Sequence, residues 1–292
     1  MTNRISVIIP SRNYARFIAE AIESVLCQTQ AADEIVVVDD GSTDETESVV
    51  GRFRSAVRYI KQAGQGVSVA RNKGVAESSG NLIAFLDADD TWEPEKLEMQ
   101  VAEFADDPTV GLVHCGMREF DDSTGQTLGF HLDGCAGDVS ESLLLWEEPS
   151  IVGPGGTIMI TRSAFDMAGG YDPRISVGED WDLCYRIARH YAVRFVPKPL
   201  VNYRNHGAAA HNNVSGMELG MSIFYEKAFA EGGDILNLRR KAYGNFYSVL
   251  AGSYFHAGQY GPFARNLLLS LWNRPGGIVR FAKFPFRRMR QD

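Results

Sequence analysis

The chain has 292 residues, 45% of them hydrophobic, which is enough for one large domain plus a smaller unit at roughly 100 to 200 residues per domain. Its net charge of -8 argues against nucleic acid as the main partner, because nucleic-acid-binding domains present basic surfaces. The four cysteines form no CxxC pair, which argues against a zinc site or a disulfide framework. No signal-peptide core and no run near ~18 apolar residues is found, so we expect a cytoplasmic protein.

Four segments at the start of the chain repeat one pattern: an apolar run, a polar turn and a stretch with helical spacing. The apolar runs are ISVIIP, EIVVVDD, VRYIK and NLIAFLD. Ser42 or Thr43 is predicted to cap the second helix, the third helix to end near Gly80, and the fourth to cover residues 92 to 105. The alternation predicts an α/β fold with a mostly parallel sheet flanked by helices, a Rossmann-like arrangement whose ligands bind at the carboxyl ends of the strands.

The second half of the chain has a looser pattern. Residues 110 to 115 and 157 to 161 are predicted strands, separated by loops. From Met217 onward the spacing is helical, with one helix broken at Gly261-Pro262 and another over residues 263 to 272. We therefore expect one domain over residues 1–212 and a helical C-terminal region over residues 213–292.

The last residues, 274–292, contain six Arg or Lys and one acidic residue, Asp292, interleaved with phenylalanines. Two interpretations are open: a peripheral contact with the inner face of a membrane, and a solvated end. The helices before this basic tail are open to three interpretations, namely an acceptor-side lid, a homodimer surface or a membrane contact.

Acidic residues gather where a ligand is expected. Asp39 and Asp40 follow the second strand, and Asp87, Asp89 and Asp90 follow the fourth. Adjacent carboxylates repel one another, so a hard divalent cation, Mg²⁺ or Mn²⁺, is the natural partner. The alternative is a solvated acidic turn, in which Asp90 starts the next helix.

Other side chains also point to an anionic ligand. GQGVSVARNKG lacks the third glycine of a dinucleotide fingerprint, but Arg71, early in the third helix, could meet a diphosphate. A surface ion pair is the alternative for Arg71. Glu179 and Asp180 begin a helix after a glycine, where they could cap the helix or face a cleft.

Together these residues resemble a known family. VIIPSRN, VVDDGSTD, ARNKG, FLDADD, GGYD and GEDWDL occur in the order and approximate spacing seen in family 2 glycosyltransferases, which are inverting nucleotide-sugar enzymes of the GT-A fold. The likeness covers about residues 4 to 206. The resemblance implies a hexosyltransferase-type enzyme that takes a sugar from a nucleoside-diphosphate sugar, which is UDP-linked in many relatives. The acceptor would be a glycan or a lipid-linked molecule in polysaccharide biosynthesis, and the cofactor would be Mg²⁺ or Mn²⁺.

The resemblance also implies a role for individual residues. Asp180, supported by Glu179, would be the general base, and Asp89 would bind the metal ion, with His206 as a further ligand. Asp39 would accept a hydrogen bond from the base, and Asp87 would face the ribose or sugar. The other donor-binding residues would be Pro10, Ser11, Arg12, Arg71 and Ala88.

One departure concerns the base pocket, because relatives often have a tyrosine where this chain has Arg12. A guanidinium can also stack on a base, and Tyr14 is a second candidate. Two rival functions are a non-catalytic nucleotide-sugar binding module and a sugar nucleotidyltransferase. The latter typically needs a glycine-rich triphosphate loop, and PSRNYARF contains no glycine.

Overall fold

The computed structural model describes residues 3–105, 107–146, 151–206 and 213–277. Within these ranges the chain forms one mixed sheet with helices around it. The strands are β1 (Ile5–Ser11), β2 (Glu34–Asp39), β3 (Arg58–Lys61), β4 (Leu82–Phe85), β5 (Thr91–Trp92), β6 (Val110–Asp121), β7 (Thr127–His131), β8 (Met159–Thr161) and β9 (Ala192–Asn205). The helices are α1 (Ile18–Leu26), α2 (Thr46–Val50), α3 (Val67–Ala76), α4 (Lys96–Ala102), α5 (Ser140–Leu145), α6 (Pro154–Thr157), α7 (Arg162–Ala168), α8 (Glu179–Ala188), α9 (Val214–Ala230), α10 (Arg239–His256) and α11 (Tyr260–Asn273).

The order of strands in the sheet is β3-β2-β1-β4-β8-β6-β9-β5, with β7 paired to β6. The first four strands are parallel, as the alternating pattern predicted. Beyond β4 the sheet is mixed, because β8 runs antiparallel to both β4 and β6 whereas β6 and β9 are parallel. The predicted α/β fold with an α-helical C-terminal extension is confirmed.

Helices cover both faces of the parallel part, which explains the unbroken apolar runs in its strands. Alternate residues of one strand enter two different cores: Ile8 of β1 belongs to one, and Val7 and Ile9 belong to the other. Helix α1 covers the second core with a stripe at helical spacing, made of Ile18, Ala21, Ile22 and Val25.

Two local predictions were wrong. The fourth helix begins at Lys96 and not at Trp92, because Trp92 lies in β5, where it pairs with Val201 of β9 and its indole N–H donates to the Gly156 carbonyl at 3.1 Å. Neither Ser42 nor Thr43 caps α2, since the hydroxyl of Ser42 instead accepts a hydrogen bond from the backbone N–H of Asn13.

The C-terminal helices pack against the sheet domain through a shared core. Phe224, Tyr225 and Phe246 lie in the same hydrophobic cluster as Leu183 and Tyr185 of α8. Pro262 was predicted to separate two helices, and this is wrong. It lies in the first turn of α11, where no intrahelical N–H is required.

Two predictions fall on residues outside the described ranges. The boundary at residue 212 belongs to the undescribed segment 207–212, so the division into two units stays a prediction. Most of the basic tail, residues 278–292, is likewise outside the described part. In the part that is described, none of the helices combines the length and the apolar character needed to cross a bilayer.

Candidate active site

A cleft of about 430 Å³ opens where β1 and β4 end and α3 and α8 begin. This is the edge at which ligands bind in parallel α/β sheets. Nine of the predicted site residues line it: Pro10, Ser11, Arg12, Arg71, Asp87, Ala88, Asp89, Glu179 and Asp180. Segments far apart in the sequence therefore meet in one place, as predicted. The other two predicted residues, Asp39 and His206, lie outside the lining, but His206 contacts Asp89.

Arg71 connects the carboxylates of the cleft. Its side chain is only 3% exposed, so the alternative of a surface ion pair is wrong. One guanidinium nitrogen lies 2.8 Å from Asp87 Oδ1, and the other lies 2.7 Å from Glu179 Oε1 and 3.0 Å from Asp180 Oδ1. The guanidinium also lies over the ring of Tyr171, 5.1 Å from its centroid. Arg71 thus links the end of β4 to the start of α8.

Asp180 has the electrostatic environment of a proton acceptor. Burial raises the pKa of this carboxyl to about 7, with Glu179 and Asp87 adding to the rise and Arg71 opposing it. The side chain nevertheless keeps 17% of its surface exposed and lines the cleft. A base with a pKa near the working pH is suited to taking a proton during a reaction.

Asp89 is paired with His206, whose Nε2 lies 2.9 Å from Asp89 Oδ2. Burial and the charge of Asp87 raise the pKa of Asp89, while His206 lowers it. The alternative in which the neighbouring Asp90 starts a helix in a solvated turn is wrong: its buried carboxylate accepts a hydrogen bond from the backbone N–H of Arg204 at 2.8 Å. Asp90 thus fixes β9, the strand that ends beside His206.

The donor set at Asp89 fits a divalent cation held in part by its substrate. Across the described ranges, no three His, Cys, Asp or Glu side chains converge as a complete metal site. A carboxylate and an imidazole are suitable ligands for Mn²⁺, and Mg²⁺ is commonly held by only one or two carboxylates with water and phosphate oxygens completing its shell. Asp89 and His206 match this incomplete arrangement.

The two acidic residues after β2 have different surroundings. Asp39 is fully buried, and its carboxylate accepts hydrogen bonds from the Ser42 N–H at 2.7 Å and from the Tyr59 hydroxyl. Asp40 lines the cleft and accepts the backbone N–H of Gly66 at 2.8 Å, at the start of α3. Sequence reasoning assigned a role to Asp39 and none to Asp40, because only the structure shows which of two adjacent carboxylates faces the cleft.

Sequence reasoning also missed the contribution of α9. This helix lies against the segment 176–178, which lines the cleft just before Glu179. A Cβ on Gly220 of α9 would overlap the carbonyl oxygen of Val177, so only glycine permits this close approach. Lys227 of α9 extends the contact, with its ammonium 2.9 Å from both Asp172 and Asp182. The signal in the sequence was a glycine inside a helical pattern.

Known structures share this architecture. The mannosyltransferase PcManGT from Pyrobaculum calidifontis, solved in complex with GDP-Man and Mn²⁺, is similar with a TM-score of 0.63 at 21% identity, over 96% of this chain and 76% of that chain. S. aureus TarS 1-349, solved in complex with UDP, has a TM-score of 0.57 at 16% identity, over 94% and 92% of the two chains. The fold is that of the GT-A class of glycosyltransferases.

Sequence comparison identifies the family. Residues 6–166, more than half of the chain, match Glycosyl transferase family 2. An uncharacterized glycosyltransferase of Nostoc sp. is 33% identical over 214 residues, which is 71% of this chain and 66% of the relative, so the match leaves about a third of that relative uncovered. The protein belongs to glycosyltransferase family 2.

Proposed function

We propose that the protein transfers a sugar from a nucleoside-diphosphate sugar, with UDP as the nucleotide, to an acceptor hydroxyl. The acceptor is a glycan or a lipid-linked molecule, and the reaction is part of polysaccharide biosynthesis. The observation that carries this proposal is Asp180: a carboxyl with a pKa raised to about 7 by burial lines the same cleft as Asp87 and Asp89. A site that only bound the donor would need no such base.

The donor occupies the cleft between β1, α3 and β4. Pro10, Ser11 and Arg12 form the nucleotide side of the pocket, with Asp39 assigned to the base and Asp87 and Ala88 to the ribose or sugar. Support comes from the lining of the cleft by all of these residues except Asp39. TarS has been solved with UDP and PcManGT with GDP-Man, and the choice of UDP for this chain rests on the family resemblance.

Asp89 and His206 are assigned to a divalent cation, Mg²⁺ or Mn²⁺. When bound, such a cation stabilises the negative charge that develops on the departing diphosphate. The contribution of the chain is to hold the carboxylate of Asp89 in place through His206 at 2.9 Å. Asp90 accepts a hydrogen bond from the backbone N–H of Arg204, which fixes the backbone next to Asp89 and the backbone just before His206.

The transfer itself depends on Asp180. Its carboxylate takes the proton of the acceptor hydroxyl as that oxygen forms a bond to the anomeric carbon, and the bond from this carbon to the diphosphate oxygen breaks on the opposite face. The product therefore has inverted configuration. Glu179 and Arg71 act on Asp180, since Arg71 contacts both carboxylates and limits the rotation of each. Holding both substrates in line contributes much of the rate.

The test separates proton transfer from donor binding. Asp180→Asn keeps the shape of the side chain but removes the base, so we expect single-turnover transfer to fall by about 10² to 10⁴ while calorimetric affinity for UDP with Mn²⁺ is kept. Glu179→Gln is the matched control, because its carboxylate contacts the same arginine. Transfer by Asp180→Asn at the parent rate would show that Asp180 is not the base.

A second variant tests the cation. Asp89→Ala should weaken the binding of UDP in the presence of Mn²⁺ and abolish the gain in affinity that Mn²⁺ gives the parent. Equal affinities of the parent and the variant with Mn²⁺ would refute the assignment of Asp89. A parent that binds the nucleotide sugar but neither transfers nor hydrolyses it would instead be a binding module.

A further inference from the structure

Helix α11 buries two polar residues and leaves large apolar side chains exposed on its outer side, although Phe263 near its start packs against the core. Its two buried residues are Asn266 and Ser270, and the Ser270 hydroxyl donates to the carbonyl of Gly244 in α10 at 2.8 Å. On the outside, Leu268 is 68% exposed and Trp272 is 79% exposed. Amphipathic helices of globular domains normally bury the apolar side, so this face is built to be covered by something other than its own domain.

The charge of the chain is unevenly distributed, and the C-terminal part that contains α11 is basic. Residues 235–292 contain ten Arg or Lys and a single acidic residue, Asp292, which gives +9, whereas residues 1–234 carry -17. Within α11 the only charged residue is Arg265, and it is paired with Glu218. The guanidinium of Arg240 donates to the carbonyl of Trp272 at 3.0 Å, so this basic side chain adjoins the apolar face.

We propose that α11 lies on an anionic lipid bilayer, with Tyr260, Leu268 and Trp272 inserted at the interface and the surrounding basic residues facing the lipid headgroups. Apolar insertion and attraction to anionic lipids together define interfacial helices, and tryptophan is favoured at the headgroup level. With 14 residues, α11 is about 21 Å long, shorter than the ~30 Å hydrocarbon layer, so it would lie in the plane of the interface.

Charge favours this occupant over a second copy of the chain. A symmetric dimer through α11 would place two copies of the described segment 235–277 against each other, each with five Arg or Lys and no acidic residue, and like charges that face each other are unfavourable. An anionic bilayer supplies the opposite charge, and each Arg or Lys near such a surface strengthens binding.

The test is sedimentation of the full chain with sucrose-loaded vesicles, either neutral phosphatidylcholine or the same lipid with about 30% phosphatidylglycerol. We expect binding to the anionic vesicles and a loss of binding when NaCl is raised from about 0.1 M to about 0.5 M. Leu268→Glu with Trp272→Glu should lower the partition coefficient at least about tenfold. Replacing Arg287, Arg288 and Arg290 by Gln should lower it by about tenfold to a hundredfold.

The matched control is Phe130→Glu, which changes an apolar residue that is 58% exposed on β7. It should leave vesicle binding unchanged, and all variants should keep the thermal midpoint of the parent. Two results would overturn the proposal: no binding of the parent to anionic vesicles, or a parent dimer in sedimentation equilibrium that Leu268→Glu dissociates. The second result would assign the face to a second copy.

Discussion

Replacing Arg71 by Met tests whether this side chain holds the site together. The substitution keeps most of the volume but leaves Asp87, Glu179 and Asp180 without the cation that contacts all three. Breaking a buried ion pair by removing one partner costs about 3–5 kcal/mol. At about 2–4 °C per kcal/mol for a domain of this size, the thermal midpoint should fall by roughly 6–20 °C.

The loss should depend on pH with a defined sign. Without the guanidinium, the pKa of Asp180, already raised to about 7 by burial, rises further. The folded state then binds protons more tightly than the unfolded state, in which an Asp has a pKa near 3.9. Stability therefore falls as the pH rises from the unfolded to the folded pKa. The deficit of Arg71→Met should be larger at about pH 8 than at about pH 5.5.

The assay is differential scanning calorimetry of both proteins at the two pH values. Arg174→Met is the matched control, because Arg174 is 66% exposed and its pair with Asp172 is a surface contact, worth about 0–1 kcal/mol. If Arg71→Met unfolded within about 2 °C of the parent at pH 8, the contacts of Arg71 would not contribute to stability as argued.

Three further predictions follow from the structure. The kcat for transfer should decrease below about pH 7 as Asp180 is protonated, and a profile that is flat from pH 5.5 to 8 would contradict this. Burial lowers the pKa of Lys96 to about 8, so the stability of the parent relative to Lys96→Met should increase by about 1–3 kcal/mol as the pH rises from about 8 toward 10.5. A difference in unfolding free energy that stays constant over this pH range would contradict it. Gly220→Ala should displace the carbonyl of Val177, destabilise the protein by about 1–3 kcal/mol and lower kcat/KM, whereas parent-like kinetics would show that α9 does not shape the cleft.

The parallel half of the fold was predictable because its signals are local. Each strand of the β3-β2-β1-β4 unit is a short apolar run followed by a polar turn, and the right-handed crossover rule then fixes how such units combine. These units define the edge at which the parallel strands end, so Asp40, Asp87 and Asp89 were correctly brought together. Glu179 and Asp180 were placed with them only through the family resemblance, because α8 reaches the cleft from a distant part of the chain.

The contacts that decide the details were not predictable. Trp92 is followed by a helix-like pattern, but pairing with β9, 109 residues later, holds it in a strand. An arginine early in a helix gives no sign that three carboxylates from two other segments will bury it. The partners of Asp39 and Asp40 depend on the path of the loop before α3. In each case a long-range contact overrides the local preference.

The balance of charge in the cleft affects how the donor can bind. Asp87, Glu179 and Asp180 face one guanidinium, that of Arg71, and Asp89 adds a further carboxylate that His206 only partly offsets. A nucleoside diphosphate is itself an anion, so this acidic cleft should repel it. Since Arg71 is already engaged with three carboxylates, it has little capacity to neutralise a diphosphate as well. Arg12 is the other arginine of the cleft lining, and one guanidinium does not balance these carboxylates and a diphosphate together. We therefore expect the cation proposed at Asp89 to be needed for donor binding as well as for turnover, and the loss of donor affinity expected for Asp89→Ala to reflect the charge of the whole cleft.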